Sequence, residues 1–251
     1  MRFHAETQRR REGKEKRLVL LNPPGRRTYL RDYFCSKVSQ ADYIHHPIDL
    51  VFLSGYLKED YELELVDAIV EKLSPETCLR RIEAIAPQVV VGLIGSVSYA
   101  EDVPFYRLLA ERSPSLRLFL VGDILIERRR ERLAEMPFVE GFVHDFSSRD
   151  LLDCLQGCSD VHNLTLRRNG IIEELALQRP LGEAFRLPRP QHSLFLSRPY
   201  RYPFVRRKRF ATVMTDFGCP YRCSFCIMPR LGWKQRPVAD VLEELSELGR
   251  M

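Results

Sequence analysis

QVVVGLIG, residues 88–95, is the stretch that decides the fold of this chain. It contains no charged residue, so a strand formed here would be apolar on both faces. The centre of LRLFLVGD (116–123) has the same character. Because successive side chains of a strand point to opposite faces of a sheet, such runs are typical of parallel strands that helices cover on both sides.

Further segments predict an alternation of strands and helices around these two runs. Strands are predicted at 17–25, 61–68 and 139–143, and helices at 46–60, 74–87, 100–112, 127–135 and 148–157. The alternation predicts an α/β domain over residues 17–158, a doubly wound parallel sheet with the flavodoxin-like strand order 2-1-3-4-5. A ligand of such a domain lies over the carboxyl ends of the strands, near the switch point between strands one and three.

The composition of the 251 residues, 45% hydrophobic and 29% charged, is typical of a globular protein. No apolar run is long enough to cross a membrane, and the basic first residues are not a secretory signal. We therefore expect a cytoplasmic protein whose residues 1–16 form a disordered basic tail.

The net charge of +5 is concentrated in Arg9–Arg11 and in RPYRYPFVRRKRF, residues 198–210. A basic and aromatic stretch is one signature of a nucleic-acid surface. The sequence favours the alternative, a solvated linker whose aromatic side chains pack against a neighbouring domain, so nucleic acid is not an expected partner.

Residues 159–209 are predicted to connect two domains. The stretch 161–177 predicts a β-hairpin with Asn169-Gly170 at its turn. The five prolines of 178–204 predict a linker without regular structure. A new strand is then predicted at 210–218, and Pro237 introduces a helix with apolar residues along one face.

Three of the seven cysteines, Cys219, Cys223 and Cys226, lie within eight positions. An odd number of cysteines without an export signal favours reduced thiols over disulfides. Thiolates bind zinc, copper(I) or iron–sulfur clusters, and structural zinc sites have four protein ligands. Three thiolates suit a [4Fe–4S] cluster that keeps one iron open, while zinc and the absence of a metal stay as alternatives.

CPYRCSFC (219–226) resembles the signature of the radical S-adenosylmethionine (radical SAM) family, including the aromatic Phe225 before the last cysteine. The resemblance implies that Cys219, Cys223 and Cys226 hold a [4Fe–4S] cluster and that Phe225 helps to bind the cofactors. It also implies reductive cleavage of S-adenosylmethionine at the open iron, followed by methyl transfer or a radical rearrangement.

The order of the predicted domains is similar to that of the cobalamin-binding subfamily of this family, and LLNPPG (20–25) is similar to its opening. The resemblance implies that cobalamin lies over the strand ends. The implied cofactor contacts are Gly25, Gly95, Ser96, Val97, Ser98, Gly122 and Asp123. From the residues alone, the glycines could equally serve turns and the serines could cap a helix. His45 and His46 are predicted to be surface residues rather than cobalt ligands.

Residues 210–251 amount to one strand–helix unit of a barrel, since a full (β/α)8 barrel has eight units of about 31 residues. We therefore expect the N-terminal portion of a longer radical SAM enzyme with a truncated barrel, inactive alone. The expected partners are a small-molecule substrate, an electron donor protein and a chain that carries the rest of the barrel. The alternatives are a corrinoid-binding module that works with a partner chain, and a zinc-binding interaction protein.

Overall fold

A computed structural model describes residues 16–34, 36–41, 43–203, 205–207, 209–226 and 228–251. Residues 1–15 of the predicted tail (1–16) lie outside them, whereas its last residue, Lys16, accepts a hydrogen bond through its carbonyl from the Glu62 amide at the edge of the sheet. The strands are β1 (Arg17–Asn22), β2 (Tyr29–Leu30), β3 (Lys37–Val38), β4 (Glu62–Asp67), β5 (Val89–Leu93), β6 (Arg117–Val121), β7 (Gly141–Val143), β8 (Leu164–Arg168), β9 (Ile171–Glu174), β10 (Leu181–Ala184), β11 (Asp216–Gly218) and β12 (Trp233–Gln235). The helices of the described residues are α1 (Ile48–Leu57), α2 (Pro75–Ile85), α3 (Tyr99–Arg112), α4 (Arg129–Glu135), α5 (Asp150–Leu155), α6 (Ser193–Leu196) and α7 (Val238–Leu248). None of these helices is both long and apolar enough to cross a membrane.

The central sheet has seven strands in the order β4-β1-β5-β6-β7-β8-β9. Its first five strands are parallel, so the predicted α/β class and the order 2-1-3-4-5 are confirmed. The hairpin is also confirmed, because Asn169 and Gly170 both have positive φ between β8 and β9. It does not belong to a linker, however, since β8 pairs antiparallel with β7 and extends the sheet.

Two apolar cores cover the two faces of the sheet, as the alternation along β1 requires. Leu18 and Leu20 face a core formed with α1 and α5, while Val19 and Leu21 face a core formed with α2, α3 and α4. At about 25 cal/mol per Å² of apolar area removed from water, this burial is the main stabilising term of the domain.

The proline-rich segment differs from the prediction, because it contains β10, α6 and a β-bridge between Ile44 and Arg201. Leu187, Phe195 and Tyr200 of this segment are buried in the first core. Burial of these apolar side chains offsets the entropy lost by ordering the segment. The prolines therefore limit the length of the regular elements without preventing them.

The C-terminal region also differs from the predicted strand–helix unit. Only Asp216–Gly218 of the predicted strand is extended, and it pairs antiparallel with β12. β12 in turn pairs with β10, which gives a small three-stranded sheet. The observed arrangement is thus a hairpin whose loop contains the cysteines.

Helix α7 turns its acidic side inward. Asp240 and Glu244 are buried, whereas Val238, Leu242 and Leu245 of the predicted apolar face are exposed. The physical reason is Arg236, whose fully buried guanidinium pairs with Asp240 at 2.8 Å and with Glu244 at 2.6 Å. An unpaired buried charge costs more than an exposed leucine.

Gly122, just after β6, generates the first prediction. A Cβ at this position would lie 1.7 Å from the backbone carbonyl oxygen of Ile94. We expect Gly122→Ala to lower the free energy of unfolding by about 3 kcal/mol, because the two strand ends must separate. Urea denaturation measures the loss.

Gly157→Ala is the matched control for this substitution. Gly157 also has positive φ, but a Cβ there would have no neighbour within 4 Å. Its cost is confined to left-handed backbone strain, about 1–2 kcal/mol. Equal losses for the two variants would contradict the close approach at Gly122.

Candidate functional site

The cysteine loop, residues 219–226, connects β11 to the segment that leads into β12. Its first residue is held, because the Cys219 amide donates to the Gly232 carbonyl at 3.0 Å. Gly218 makes this possible, since a Cβ there would lie 1.9 Å from the same carbonyl oxygen. The far end of the loop closes locally, with the Cys226 amide donating to the Cys223 carbonyl at 3.1 Å.

The loop faces solvent. Cys223 is exposed, Cys219 and Cys226 are half-buried, and Phe225 has 92% of its surface exposed. Within the described residues, no three His, Cys, Asp or Glu side chains are arranged to hold a metal ion. The three thiols are therefore close in sequence, but they do not form a metal site in this structure. This is expected where binding of the metal itself brings its ligands together.

The other described cysteines are less suited to chemistry. Burial raises the pKa of the Cys78 thiol to about 12 and also raises that of Cys154. A protonated, buried thiol is a poor ligand and a poor nucleophile. Cys158 is exposed but lies outside the loop, and Cys35 lies outside the described residues.

The hairpin that bears the loop is anchored on the carboxyl ends of the central strands. Phe217 of β11 packs edge-on against Phe146, with ring centroids 5.3 Å apart. Lys234 of β12 donates to a carboxylate oxygen of Asp145 at 2.7 Å, and both side chains are buried. The Lys234 ammonium also lies 4.9 Å from the Phe217 ring centre. A second pair, Arg230 with Glu127, is exposed.

Most of the predicted cobalamin contacts meet at this same edge of the sheet. Asp123 accepts hydrogen bonds from the Ser96 amide and hydroxyl, both at 2.9 Å. The hydroxyl of Ser36, which lies between β2 and β3, donates to Asp123 at 2.8 Å. A Cβ on Gly95 would meet the Ser36 side chain at 2.9 Å. Ser36 thus covers Gly95, Ser96 and Asp123 among the predicted cobalamin contacts.

Ser98 belongs to a buried polar cluster instead of an open surface. Its hydroxyl donates to Asp102 at 2.6 Å and accepts from the Arg31 guanidinium at 3.1 Å. Arg31 and Asp102 form an ion pair with no exposed side-chain surface. Burial raises the pKa of Asp102, although the Arg31 charge opposes that shift. Arg31 also donates to the carbonyls of Pro23 and Pro24, so the loop after β1 closes the switch point.

The Val97 amide donates to the Ser36 hydroxyl at 3.5 Å, whereas Gly25 lies apart from these groups. Val97 is half-exposed beside Ser96. Gly25 lines a different cleft of about 820 Å³ between the ends of β1 and β4 and the start of α3. A Cβ on Gly25 would meet the ring of Tyr29 at 2.4 Å, so its small size serves local packing.

His46 departs from the sequence expectation of a surface position. His46 is buried between Tyr200 and Phe210, and burial lowers its pKa to about 4. His144, which follows β7, is also buried, and its pKa falls to about 3. Neutral imidazoles at these depths act as packing groups.

Sequence reasoning missed Arg31, Asp102, Lys234 and Asp145, which build the polar contacts of this edge. Their partners are 71 and 89 positions apart in the chain. The only local sign of these residues is a charged residue beside apolar ones. Because this pattern is also common on protein surfaces, it does not predict a buried ion pair.

The comparisons with known proteins support the general prediction that this chain belongs to an enzyme. No protein-family model matches the chain. An uncharacterized methyltransferase from Pyrococcus horikoshii is 23% identical over 212 residues, which cover 80% of this chain and 45% of that protein. The ribosomal protein uS12 methylthiotransferase RimO of Cronobacter sakazakii is 35% identical over 65 residues, 25% of this chain and 15% of that protein. The RimO protein of Salmonella arizonae matches to the same extent. The chain thus spans less than half the length of these relatives, and they are named as methyl- or methylthiotransferases.

The buried pair of Lys234 and Asp145 generates the second prediction. Lys234→Ala leaves the Asp145 carboxylate buried and unpaired, which costs about 3–5 kcal/mol of unfolding free energy. If the hairpin undocks instead, thiol-labelling reagents will react faster with the cysteine loop. Denaturant unfolding and labelling rates measure the two effects.

Arg230→Ala is the control on the same hairpin. Its pair with Glu127 is more than half exposed on both side chains, so the expected loss is under about 1 kcal/mol. Similar effects of the two substitutions would show that the buried pair does not anchor the loop.

Proposed function

We propose that this chain is part of a radical SAM enzyme that transfers a methyl-derived group, with the cysteine loop as the ligand of its cluster. One observation carries the proposal: three closely spaced thiols stand on an exposed loop whose base is anchored at the ligand-binding edge of a doubly wound sheet. The names of the relatives support methyl transfer as the reaction class.

The donor set fits a [4Fe–4S] cluster. Cys219, Cys223 and Cys226 would hold three irons, and no fourth cysteine stands on the loop. When bound, the cluster would supply the electron for reductive cleavage of S-adenosylmethionine at its open iron. The exposed rings of Tyr221 and Phe225 lie beside the thiols in the chain and would shield such a cluster from water.

The hairpin's own contribution is positioning. Its base is fixed by the Cys219 amide, the Phe217 ring and the Lys234 ammonium. The loop itself faces solvent, which would leave room for it to close around a metal. An anchored base with an adaptable tip combines correct placement with room for assembly.

An electron donor protein and a chain with further barrel strands are finer parts of the proposal, whereas cobalamin, which the sequence resemblance implies, is left out of it. At the predicted cobalamin edge, Ser36 and Arg31 already occupy the polar groups of Asp123, Ser98 and Asp102. The residues as folded here therefore do not fit a corrin. Hydroxocobalamin titration, read from its visible absorbance, is expected to show no saturable binding to the chain.

Loading with iron and sulfide under anaerobic conditions tests the cluster. We expect about four irons and four sulfides per chain and a broad brown absorbance, both lost in Cys223→Ala. Cys158→Ala, which removes an exposed thiol outside the loop, is expected to load normally.

Adding S-adenosylmethionine to the reduced, loaded protein is expected to change its electron paramagnetic resonance spectrum, because the co-substrate binds the open iron. Stoichiometric zinc without a brown band would instead support the zinc-binding alternative. Equal loading of the Cys223→Ala and Cys158→Ala variants would refute the assignment of the loop.

A further inference from the structure

The stretch 198–210 forms one wall of a cleft of about 980 Å³. We call it the basic cleft and define it by Arg201, Arg206, Arg207, Arg209, Tyr202 and Phe210. Among its lining residues that the structure describes, none is an aspartate or a glutamate. Every charged side chain in this described lining is therefore an arginine, and the other lining residues are aromatic, aliphatic or serine.

The structure divides this stretch into an inward and an outward part. Arg198 pairs with Glu71 and donates to the Leu65 carbonyl. The buried hydroxyl of Tyr200 donates to Asp67 at 2.7 Å. These two residues hold the segment against the sheet, as the linker interpretation expects.

Arg206, Arg207 and Arg209 form the outward part and are exposed. In the described part of the chain, no carboxylate side chain pairs with Arg206 or Arg207. Arg209 makes one long contact, 3.5 Å, to the Met251 carbonyl. Adjacent cations without counter-charges repel each other, so this arrangement favours an anionic ligand.

Tyr202 stands at the rim of the basic cleft with 44% of its surface exposed. It also lines a second cleft of about 800 Å³, together with Tyr43 and His45. The ring of Tyr202 lies 6.5 Å from that of Tyr43 and 6.4 Å from that of Phe210. A row of rings therefore runs alongside the arginines.

We propose that the basic cleft binds single-stranded nucleic acid, with Arg206, Arg207 and Arg209 on the phosphates and Tyr202 stacked on a base. Grooves that follow a single strand combine a positive wall with aromatic stacking platforms. A duplex hides its base faces and would use only the arginines. A lipid surface would contact an amphipathic helix, and the described cleft wall from 198 to 210 contains no helix.

The proposal is independent of the cluster. The cleft residues differ from those of the cysteine loop, so binding is expected to be the same before and after loading with iron and sulfide. Failure of one proposal leaves the other standing.

Fluorescence anisotropy of a labelled oligouridylate, titrated with the full chain at several salt concentrations, tests the proposal. Each phosphate contact on a single strand contributes about 0.7 to the slope of log affinity against log salt. The triple variant R206A/R207A/R209A is expected to reduce that slope by about 2 and the affinity by about tenfold or more.

The control triple variant R80A/R107A/R186A removes the same charge from exposed arginines outside the cleft. Its effect is expected to be small, because exposed charges are screened beyond about 10 Å at 0.1 M salt. The run Arg9–Arg11 is common to both variants, so its contribution cancels. Circular dichroism and thermal unfolding confirm that each variant is folded.

Tyr202→Phe and Tyr202→Ala separate stacking from charge. Tyr202→Phe keeps the ring and is expected to bind normally, whereas Tyr202→Ala is expected to bind at least about fivefold more weakly. Equal losses for the two triple variants, or unchanged binding by Tyr202→Ala, would overturn the proposal. Tighter binding to phosphatidylserine vesicles than to the oligonucleotide, or equal binding to duplex, would overturn it as well.

Discussion

The buried ion pair of Lys234 and Asp145 is the interaction on which the candidate site depends. It joins the small C-terminal sheet to the end of β7, and the Phe217 ring packs beside it. A buried pair gains little net stability, because both ions lose their hydration. The pair instead fixes the position of the hairpin, because a displaced hairpin would leave two buried charges without partners. The cysteine loop therefore has one defined place, over the carboxyl edge of the sheet.

The carboxyl edge of the sheet is covered by polar residues of the chain itself. Parallel strands bury apolar side chains on both faces, so polar groups collect where the strands end. Here the segment between β2 and β3 supplies Arg31 and Ser36, which satisfy Asp102 and Asp123. The crevice that commonly receives a ligand in this fold is filled by the chain itself. The candidate site lies instead on the hairpin docked beside it.

Charge is distributed in opposite ways on the two sides of the C-terminal region. Around α7, Arg236, Asp240, Glu244 and His192 are matched and buried. Along 205–209, the described arginines are exposed, and two of them lack carboxylate partners in the described chain. The first arrangement pairs Arg236 with two buried carboxylates, while the second leaves positive charge available to a ligand.

The sequence by itself determined the central α/β domain. Runs such as VVVGL and the turn Asn169-Gly170 depend on local periodicity and backbone preference, so the strand set and the hairpin could be predicted, and the strand order followed from the general topology of alternating strands and helices. The cysteine spacing likewise identified the candidate loop. Only the tertiary structure decided where the loop sits, that α7 turns its acidic side inward, and that Arg31 and Ser36 cover the strand ends. Those outcomes depend on polar and charged contacts between residues far apart in the chain. A local sequence pattern does not show which distant residue such a group will contact.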